Sequence, residues 1–443
     1  MENLVALLLN LSRKRRWGLG LRGVIALSIA LWTVCPAAVV ASSSAPGPVV
    51  SKDTLVDWWF AFKFNGREFP GCQVPAQRQC RFGGTVSQDT PWGLRYAYAS
   101  TTGATLREGG QCLGDTDDDP VGATFDLIYN HDLHYVIWND QLKGDPSLPA
   151  CGENCDSPWG HAKGVVAWDD SGAGFVMQGT TPAWPVSGHP GLEVGVNGNT
   201  LGCTDDNNVK FSQHFFALRL TKDDLIMTLG AMANASVATA HVAPGDTKPH
   251  QLVYNGGPAD VQAAVTALGV KSKSREVKLL RLSSGVRLIS KPFLVHVPPW
   301  QLVSSKLGGV DLRIANWSEV KPRVGSSTRD TPITCWDDAQ LPQKPGAVDI
   351  AITGNWDSRE IGLKGGVSNH AKFGVTSAPE SKLVIFGDMN QQGTLSGVIC
   401  DSSQNGRGGM FFVVEDLKLH DSVAALLKGE SAAPDGAVPT AHK

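Results

Sequence analysis

Charge is scarce in this chain of 443 residues, and neither sign dominates. Charged residues make up 18% of the sequence, and 39 basic against 42 acidic residues give a net charge of -3. This balance predicts no strongly basic surface for a polyanion. With 42% hydrophobic residues the chain can bury a sizeable core, which excludes global disorder, collagen and coiled coil. Its length allows two or three domains, and its 49 Gly and 26 Pro suit a strand- and loop-rich exported protein.

A long apolar run is also missing, since the stretch Gly23–Val34 is too short for a good membrane-spanning helix. Basic residues precede this stretch, and small residues ending at Ala41 follow it. The pattern predicts a signal peptide over residues 1–41, a secreted or periplasmic protein, and no membrane association of the mature form. An uncleaved anchor is the alternative.

The mature chain would hold eight cysteines, an even number that favours disulfides in an exported protein. Half of a zinc site is the alternative for the closest pair, but no second pair has metal-ligand spacing. The predicted local disulfides are Cys72–Cys80, Cys151–Cys155 and Cys335–Cys400.

The remaining sequence is predicted to form two halves of α/β class. They cover residues 51–245 and 246–428, with the boundary in the polar, Pro- and Gly-rich segment 239–258. Residues 42–50 are predicted to be a flexible spacer and residues 429–443 a disordered tail. Strands are predicted at Val56–Lys63, Leu94–Ser100, Tyr135–Asn139, Lys278–Leu282 and Val310–Trp317, and helices after Thr221 and within Pro258–Val270 and Glu415–Gly429.

A weak internal repeat links the two halves. His161-Ala-Lys163 and His370-Ala-Lys372 each precede an apolar run, a turn and a second apolar run. The first copy continues through Gly164–Trp168 and Gly174–Gln178, and the second through Phe373–Thr376 and Leu383–Gly387. Because side chains alternate along a strand, each histidine shares a face with its lysine. The repeat predicts two imidazole–ammonium pairs.

Two such pairs suit the chemistry of a phosphodiester. Lysines can hold its anionic oxygens, one histidine can attack phosphorus, and the other can protonate the leaving oxygen and later activate water. No divalent metal is required for these roles. Which histidine attacks is not decided by the sequence.

The segments around these pairs resemble the deoxyribonuclease II family, whose fold is phospholipase D-like. The resemblance extends over most of the mature chain and is carried by short motifs that occur in the family's order. They are Val56-Asp57-Trp58-Trp59, Gly93-Leu94-Arg95-Tyr96, Asn139-Asp140-Gln141, Gly160-His161-Ala162-Lys163, Gly198-Asn199-Thr200-Leu201-Gly202-Cys203, His370-Ala371-Lys372-Phe373 and Gly387-Asp388-Met389-Asn390.

The resemblance implies a pseudo-dimeric fold, in which each half has a mixed β-sheet flanked by helices. It also implies a metal-independent acid endonuclease that cuts double-stranded DNA through a phosphohistidine and leaves 3′-phosphate ends, with no cofactor and no obligatory protein partner. His161, Lys163, His370 and Lys372 would be catalytic. Asn390 and Thr180 would bind phosphate, and Asp169 would orient a neighbouring group.

Two features of the sequence bear on this reading. Removal of residues 1–41, with five basic residues and one acidic residue, leaves a charge of about -7, and protonation of all 11 histidines brings it to about +4. An acid optimum on DNA fits this change. Two departures from the family pattern, Ala183 and Asn369, keep alternatives open: a phosphodiesterase or phospholipase of the same superfamily, or a non-catalytic disulfide-rich binding protein.

Overall fold

Eight strands build the first of two large sheets in the computed structural model, and all of its neighbouring strands run antiparallel. The sheet has the order β3-β2-β1-β7-β6-β5-β4-β8. Its strands are β1 Trp58–Lys63, β2 Tyr96–Ser100, β3 Gly103–Glu108, β4 His134–Asn139, β5 Lys163–Trp168, β6 Gly174–Gly179, β7 Gln213–Leu220 and β8 Val253–Tyr254.

Seven later strands build the second sheet, in the order β12-β11-β15-β16-β17-β10-β9. Only the pair β11 and β12 is parallel among its described strands. Its strands are β9 Lys278–Arg281, β10 Arg287–Lys291, β11 Leu312–Ala315, β12 Val348–Ala351, β15 Phe373–Thr376, β16 Leu383–Gly387 and β17 Gly409–Glu415, and β13 Thr353–Trp356 pairs with β14 Arg359–Gly362 as a separate hairpin.

Five α-helices in the described residues complete the mixed α/β fold that the sequence predicts. Thr221 and Asp224 form a capping box at the start of α2, so the helix predicted after Thr221 is confirmed. The helices are α1 Pro120–Asn130, α2 Lys222–Asn234, α3 Ala259–Val265, α4 Pro299–Lys306 and α5 Leu417–Leu426. No helix in the described parts of the chain is long and apolar enough to cross a membrane.

Aromatic side chains join the two sheets in a shared core. Phe216 of β7 stacks on Phe386 of β16 with ring centroids 4.5 Å apart, and Phe60 of β1 lies 4.6 Å from the same ring. Phe412 of β17 packs on Phe216 at 5.5 Å. All four rings are fully buried. These contacts join β1 and β7 of the first sheet to β16 and β17 of the second in one core.

The structure describes residues 45–69, 94–114, 116–130, 132–145, 147–188, 199–202, 206, 209–317 and 324–434. The predicted signal peptide and the predicted disulfide Cys72–Cys80 lie outside these residues. The predicted disulfides Cys151–Cys155 and Cys335–Cys400 are confirmed. Cys112 is also disulfide-bonded.

The predicted chain ends are partly wrong. Residues 45–50 are not a spacer, because Val49 and Val50 are buried and the Val49 amide donates a hydrogen bond to Thr124. Residues 429–434 are not a disordered tail, because Ser431 and Pro434 form bridges with Ala351 and Ser326. The apolar side chains and backbone partners available at each end explain both differences, since buried contacts offset the entropy lost on ordering.

Candidate active site

The two His-x-Lys segments meet at one cavity of about 520 Å³. The cavity wall includes His161, His370, Lys372, Asn390 and Arg407. His161 and His370 are separated by 209 positions in the sequence, yet both are more than nine-tenths buried in this wall. The cavity is therefore built by both sheets.

Each histidine–lysine pair reaches the cavity because it lies at the start of a strand. Lys163 is the first residue of β5, and Lys372 directly precedes β15, so each His-x-Lys segment stands where a central strand begins. The backbone amide of His161 donates to Gly408 O at 2.9 Å, and that of His370 donates to Ser212 O at 2.8 Å. Gly408 directly precedes β17 and Ser212 directly precedes β7. Each histidine is thus fixed by a residue near the opposite sheet.

Asp388 connects the two pairs through one carboxylate. Its Oδ2 lies 3.1 Å from Lys163 Nζ and 3.4 Å from His161 Nδ1, while its Oδ1 lies 3.3 Å from Lys372 Nζ. The carboxylate is fully buried directly after β16. Burial opposes its ionisation, but Lys163, Lys372 and His161 together hold the pKa of Asp388 far below its usual range. The carboxylate therefore stays charged in acid.

Asp140 is a second buried carboxylate, placed directly after β4. Its Oδ1 accepts a hydrogen bond from Lys163 Nζ at 2.8 Å, and its Oδ2 accepts one from Arg407 Nη2 at 2.8 Å. Burial raises the pKa of Asp140, but the nearby cations, Lys163 first, lower it overall. Arg407 also donates to three carbonyl groups between Cys155 and Gly160, the segment that leads into His161.

The site carries one more positive than negative charge before either imidazole is protonated. Three cations, Lys163, Lys372 and Arg407, surround the two carboxylates. Burial keeps the pKa of Lys372 down at about 8, with Asp388 partly opposing the shift. Burial also opposes the charge on Lys163, but Asp140 and Asp388 raise its pKa overall. One phosphodiester anion would neutralise the excess.

His161 is arranged with its two ring nitrogens in different surroundings. Nδ1 faces Asp388, and Nε2 lies 3.4 Å from the Asn390 side-chain nitrogen. An amide nitrogen donates, so Nε2 accepts and the proton belongs on Nδ1. Burial, followed in size by the opposing effect of Asp140, leaves the pKa of His161 lowered. The neutral ring therefore presents an unprotonated Nε2.

His370 packs against two aromatic rings. Its ring stacks on Phe211 with centroids 4.3 Å apart and planes 16° apart. Trp317 meets it edge to face at 3.9 Å. Burial and the adjacent Lys372 and Lys163 ammonium groups hold the pKa of His370 well below its usual value. The imidazolium form of His370 is thus disfavoured and gives up its proton more readily than an ordinary histidine.

Asp140, His161 and Asp388 offer one ligand atom each within 4.8 Å of one another, which is the geometry of a small cation site. The donor set does not suit a metal, because Lys163 already occupies oxygens of both carboxylates. Lys372 and Arg407 contact the oxygens that remain. A divalent ion would have to displace these fixed positive charges.

Asn390, which is predicted to bind phosphate, lies beside His161. Its buried Oδ1 has no hydrogen-bond partner among the described residues. Thr180 is wrongly predicted to bind phosphate. Its hydroxyl donates to Gln213 Oε1 at 2.8 Å and accepts a hydrogen bond from the His214 amide at 3.0 Å. The single hydroxyl proton is therefore engaged by β7 and is not directed at a phosphate.

Asp169 is wrongly predicted to orient a site group. Lys163 begins the six-residue strand β5, and Asp169 directly follows its other end. The Oδ1 of Asp169 accepts hydrogen bonds from the Ser171 amide at 2.8 Å and the Ser171 hydroxyl at 2.6 Å. Asp169 therefore shapes the turn between β5 and β6.

Sequence reasoning missed Asp140, Asp388 and Arg407. The two carboxylates were detectable, because each directly follows a buried strand and lies inside a motif quoted above, Asn139-Asp140-Gln141 or Gly387-Asp388-Met389-Asn390. Arg407 carries no local signal, since its partners are 247 to 267 positions away.

Two comparisons with known proteins bear on the site. Residues 49–226 match the family described as Deoxyribonuclease II, a region that includes His161 and Lys163. Plancitoxin-1 of Acanthaster planci is 29% identical over 168 residues, which is 37% of this chain. The match covers 40% of that relative's length.

Proposed function

We propose that this chain, whose residues 49–226 match the deoxyribonuclease II family, is an acid endonuclease that hydrolyses the phosphodiester bonds of double-stranded DNA. The observation that carries the proposal is the meeting of both His-x-Lys pairs at Asp388 and one cavity. The excess positive charge of that cavity fits a single phosphodiester anion. A non-catalytic binding protein would have no need of two buried imidazoles beside two buried ammonium groups.

The halves are related, in this proposal, by a pseudo-twofold axis of the phospholipase D-like kind. The order β1-β7-β6-β5-β4 in the first sheet parallels the order β10-β17-β16-β15-β11 in the second. Helix α2 follows β7 as α5 follows β17. The backbone amides of His161 and His370 donate to Gly408 and Ser212, which directly precede the corresponding strands β17 and β7. Such an axis would set the two imidazoles on opposite sides of one phosphorus atom.

The reaction proceeds in two balanced steps. One imidazole nitrogen bonds to phosphorus as the P–O5′ bond breaks, and the other imidazolium gives its proton to the leaving oxygen. Water then attacks phosphorus, passes a proton to the imidazole that had acted as acid, and breaks the P–N bond. The products are a 5′-hydroxyl and a 3′-phosphate. Lys372 and Asn390, which line the cavity, hold the phosphate oxygens through both steps, and the buried Lys163 adds positive charge to the site.

His161 is the nucleophile in this scheme and His370 the acid. The proton on His161 Nδ1 faces Asp388, which leaves Nε2 free to attack and gives the resulting cationic ring a neighbouring anion. His370, whose pKa is strongly lowered by burial and by Lys372, releases its proton readily once it is charged. No step uses a metal ion, because ammonium and guanidinium groups occupy the carboxylates that would bind one.

The proposal includes export of the protein from the cytoplasm. The disulfides Cys151–Cys155 and Cys335–Cys400 fit an oxidising compartment, and the sequence of residues 1–41 predicts an export signal. The mature protein would therefore act as a secreted or periplasmic enzyme.

Cleavage of plasmid DNA is expected to increase as the pH falls from about 7.5 to about 4.5, because the acid form of His370 becomes populated as the pH approaches its lowered pKa. A nicking assay across this range, with and without excess EDTA, measures it. Equal rates in EDTA support the metal-free scheme, whereas loss of cleavage in EDTA contradicts it. A rate that is flat or increases with pH contradicts the role of His370.

A further inference from the structure

Lys291 is a fully buried lysine outside the cavity wall, at the end of β10. Its Nζ donates hydrogen bonds to Asn405 O at 2.8 Å and Arg407 O at 2.7 Å, and lies 3.5 Å from Pro292 O. Burial lowers the pKa of Lys291 to about 7. An ammonium group buried against neutral carbonyl groups is costly, so its position calls for an explanation.

The carbonyl groups that Lys291 binds belong to the segment that supports His161. This segment, residues 405–408, begins within a short 3₁₀ helix, Ser403–Gly406, and leads into β17. Arg407 reaches from it to Asp140, and Gly408 O accepts the backbone amide of His161. Lys291 is therefore linked to His161 by two routes, one through residues 407–408 to its backbone amide and one through Arg407 to Asp140, whose charge acts on the imidazole.

We propose that Lys291 is a positioning residue for the reaction, which fixes residues 405–408 and through them both the backbone of His161 and the Arg407–Asp140 ion pair. This inference rests on the proposed function. It adds a residue that touches neither the substrate nor the reacting atoms. Three N–H donors at one point suit the task, because a single ammonium can hold several carbonyl groups at once.

The first half repeats the arrangement, which supports a role tied to the site. Lys63 ends β1 as Lys291 ends β10, and it too is fully buried. Lys63 pairs in register with Gln213 of β7, while Lys291 pairs with Gly409 of β17. The residues directly before these partners, Ser212 and Gly408, are the ones that accept the histidine amides. A buried lysine thus stands beside each histidine support.

The test compares Lys291→Met, which keeps the length of the side chain but removes its donors, with Lys291→Gln, which keeps two donors. We expect kcat on plasmid DNA to fall about 10-fold to 10²-fold in Lys291→Met with KM little changed, because the reacting groups shift while the cavity wall stays in place. Lys291→Gln should lie between this variant and the wild type. Lys382→Met, at an exposed ion pair with Asp421, is the matched control and should match the wild type.

A second measurement does not depend on cleavage. His161 is faced by Asp140, Lys163 and Asp388, and a looser Arg407 leaves more of the Asp140 charge to act on it. NMR titration of labelled histidine should therefore show the pKa of His161 higher in Lys291→Met than in the wild type.

The outcomes separate the two proposals. If the wild type cuts DNA and Lys291→Met keeps both its kcat and the pKa of His161, the positioning role is overturned. If neither variant folds, Lys291 serves stability alone and the role is likewise overturned. If the wild type does not cut DNA, the proposed function fails, and the titration alone decides whether Lys291 positions His161.

Discussion

DNA with sulfur in place of the bridging O5′ atom is expected to be cut by a His370→Ala variant but not by His161→Ala. A thiolate leaves without protonation, so the substrate bypasses the acid, whereas the nucleophile is still required. On ordinary DNA each variant should lose at least about 10²-fold in rate, the usual contribution of a positioned acid or base. Single-turnover cleavage of a labelled duplex with one such sulfur measures the difference.

The wild type on the same two duplexes is the reference, and His134→Ala is a matched control. His134, at the start of β4, makes a hydrogen bond with Asp170 at 2.9 Å and should be dispensable. Rescue of His161→Ala instead of His370→Ala would exchange the assigned roles. A near-normal rate on ordinary DNA in either variant would remove that histidine from the chemistry.

Replacement of Asp388 by Asn is expected to abolish most activity and to destabilise the fold. The change leaves Lys163 and Lys372 without their shared anion, and breaking a buried ion pair typically costs about 3–5 kcal/mol of unfolding free energy. Activity should fall at least about 10²-fold, because Lys372 loses its anchor and Lys163 keeps only Asp140. Urea unfolding and the nicking assay measure the two effects.

The stability difference should also depend on pH. The pKa of Asp388 is lowered in the folded protein, so its contribution is complete above the ordinary carboxyl value of about 4 and is lost as pH falls through the folded value. The gap between wild type and Asp388→Asn should therefore be constant above about pH 4 and shrink below it. Asp421→Asn, at an exposed ion pair, is the control. A variant as stable and active as the wild type would show that Asp388 does not organise the site.

All three predicted helices and all five predicted strands have counterparts in the structure, but helices α1 and α4 and strands such as β7 and β17 were not predicted. The apolar run Tyr135–Asn139 has the length of a buried strand, and β4 covers this run. Helix α1 escaped prediction because its sequence, Pro120–Asn130, contains Gly122 and Thr124 and has no acidic first turn or basic last turn. Its start depends on Asp119, whose carboxylate accepts the amides of Val121 and Gly122.

The candidate site was predictable from the sequence only where the signal is local. The His-x-Lys pairs were found because alternation along a strand is a local property, and the structure brings both pairs to Asp388. The predicted roles of Thr180 and Asp169 fail for another reason. Both have the right chemistry, but each hydrogen-bonds to its own hairpin or to the neighbouring strand, which depends on side-chain direction. Arg407 and Lys291 act only through contacts that are distant in sequence, so one chain without coordinates gives no sign of them.

In the proposed reaction, the crossed backbone bonds of the two histidines make catalysis a property of the finished chain. A nascent or half-length polypeptide would carry an imidazole and an ammonium group, yet would lack the carbonyl that orients them, because Gly408 serves His161 and Ser212 serves His370. Incompletely folded molecules should therefore be harmless to nucleic acid. Fragments split between the sheets should be inert when separate and regain cutting only when they reassociate.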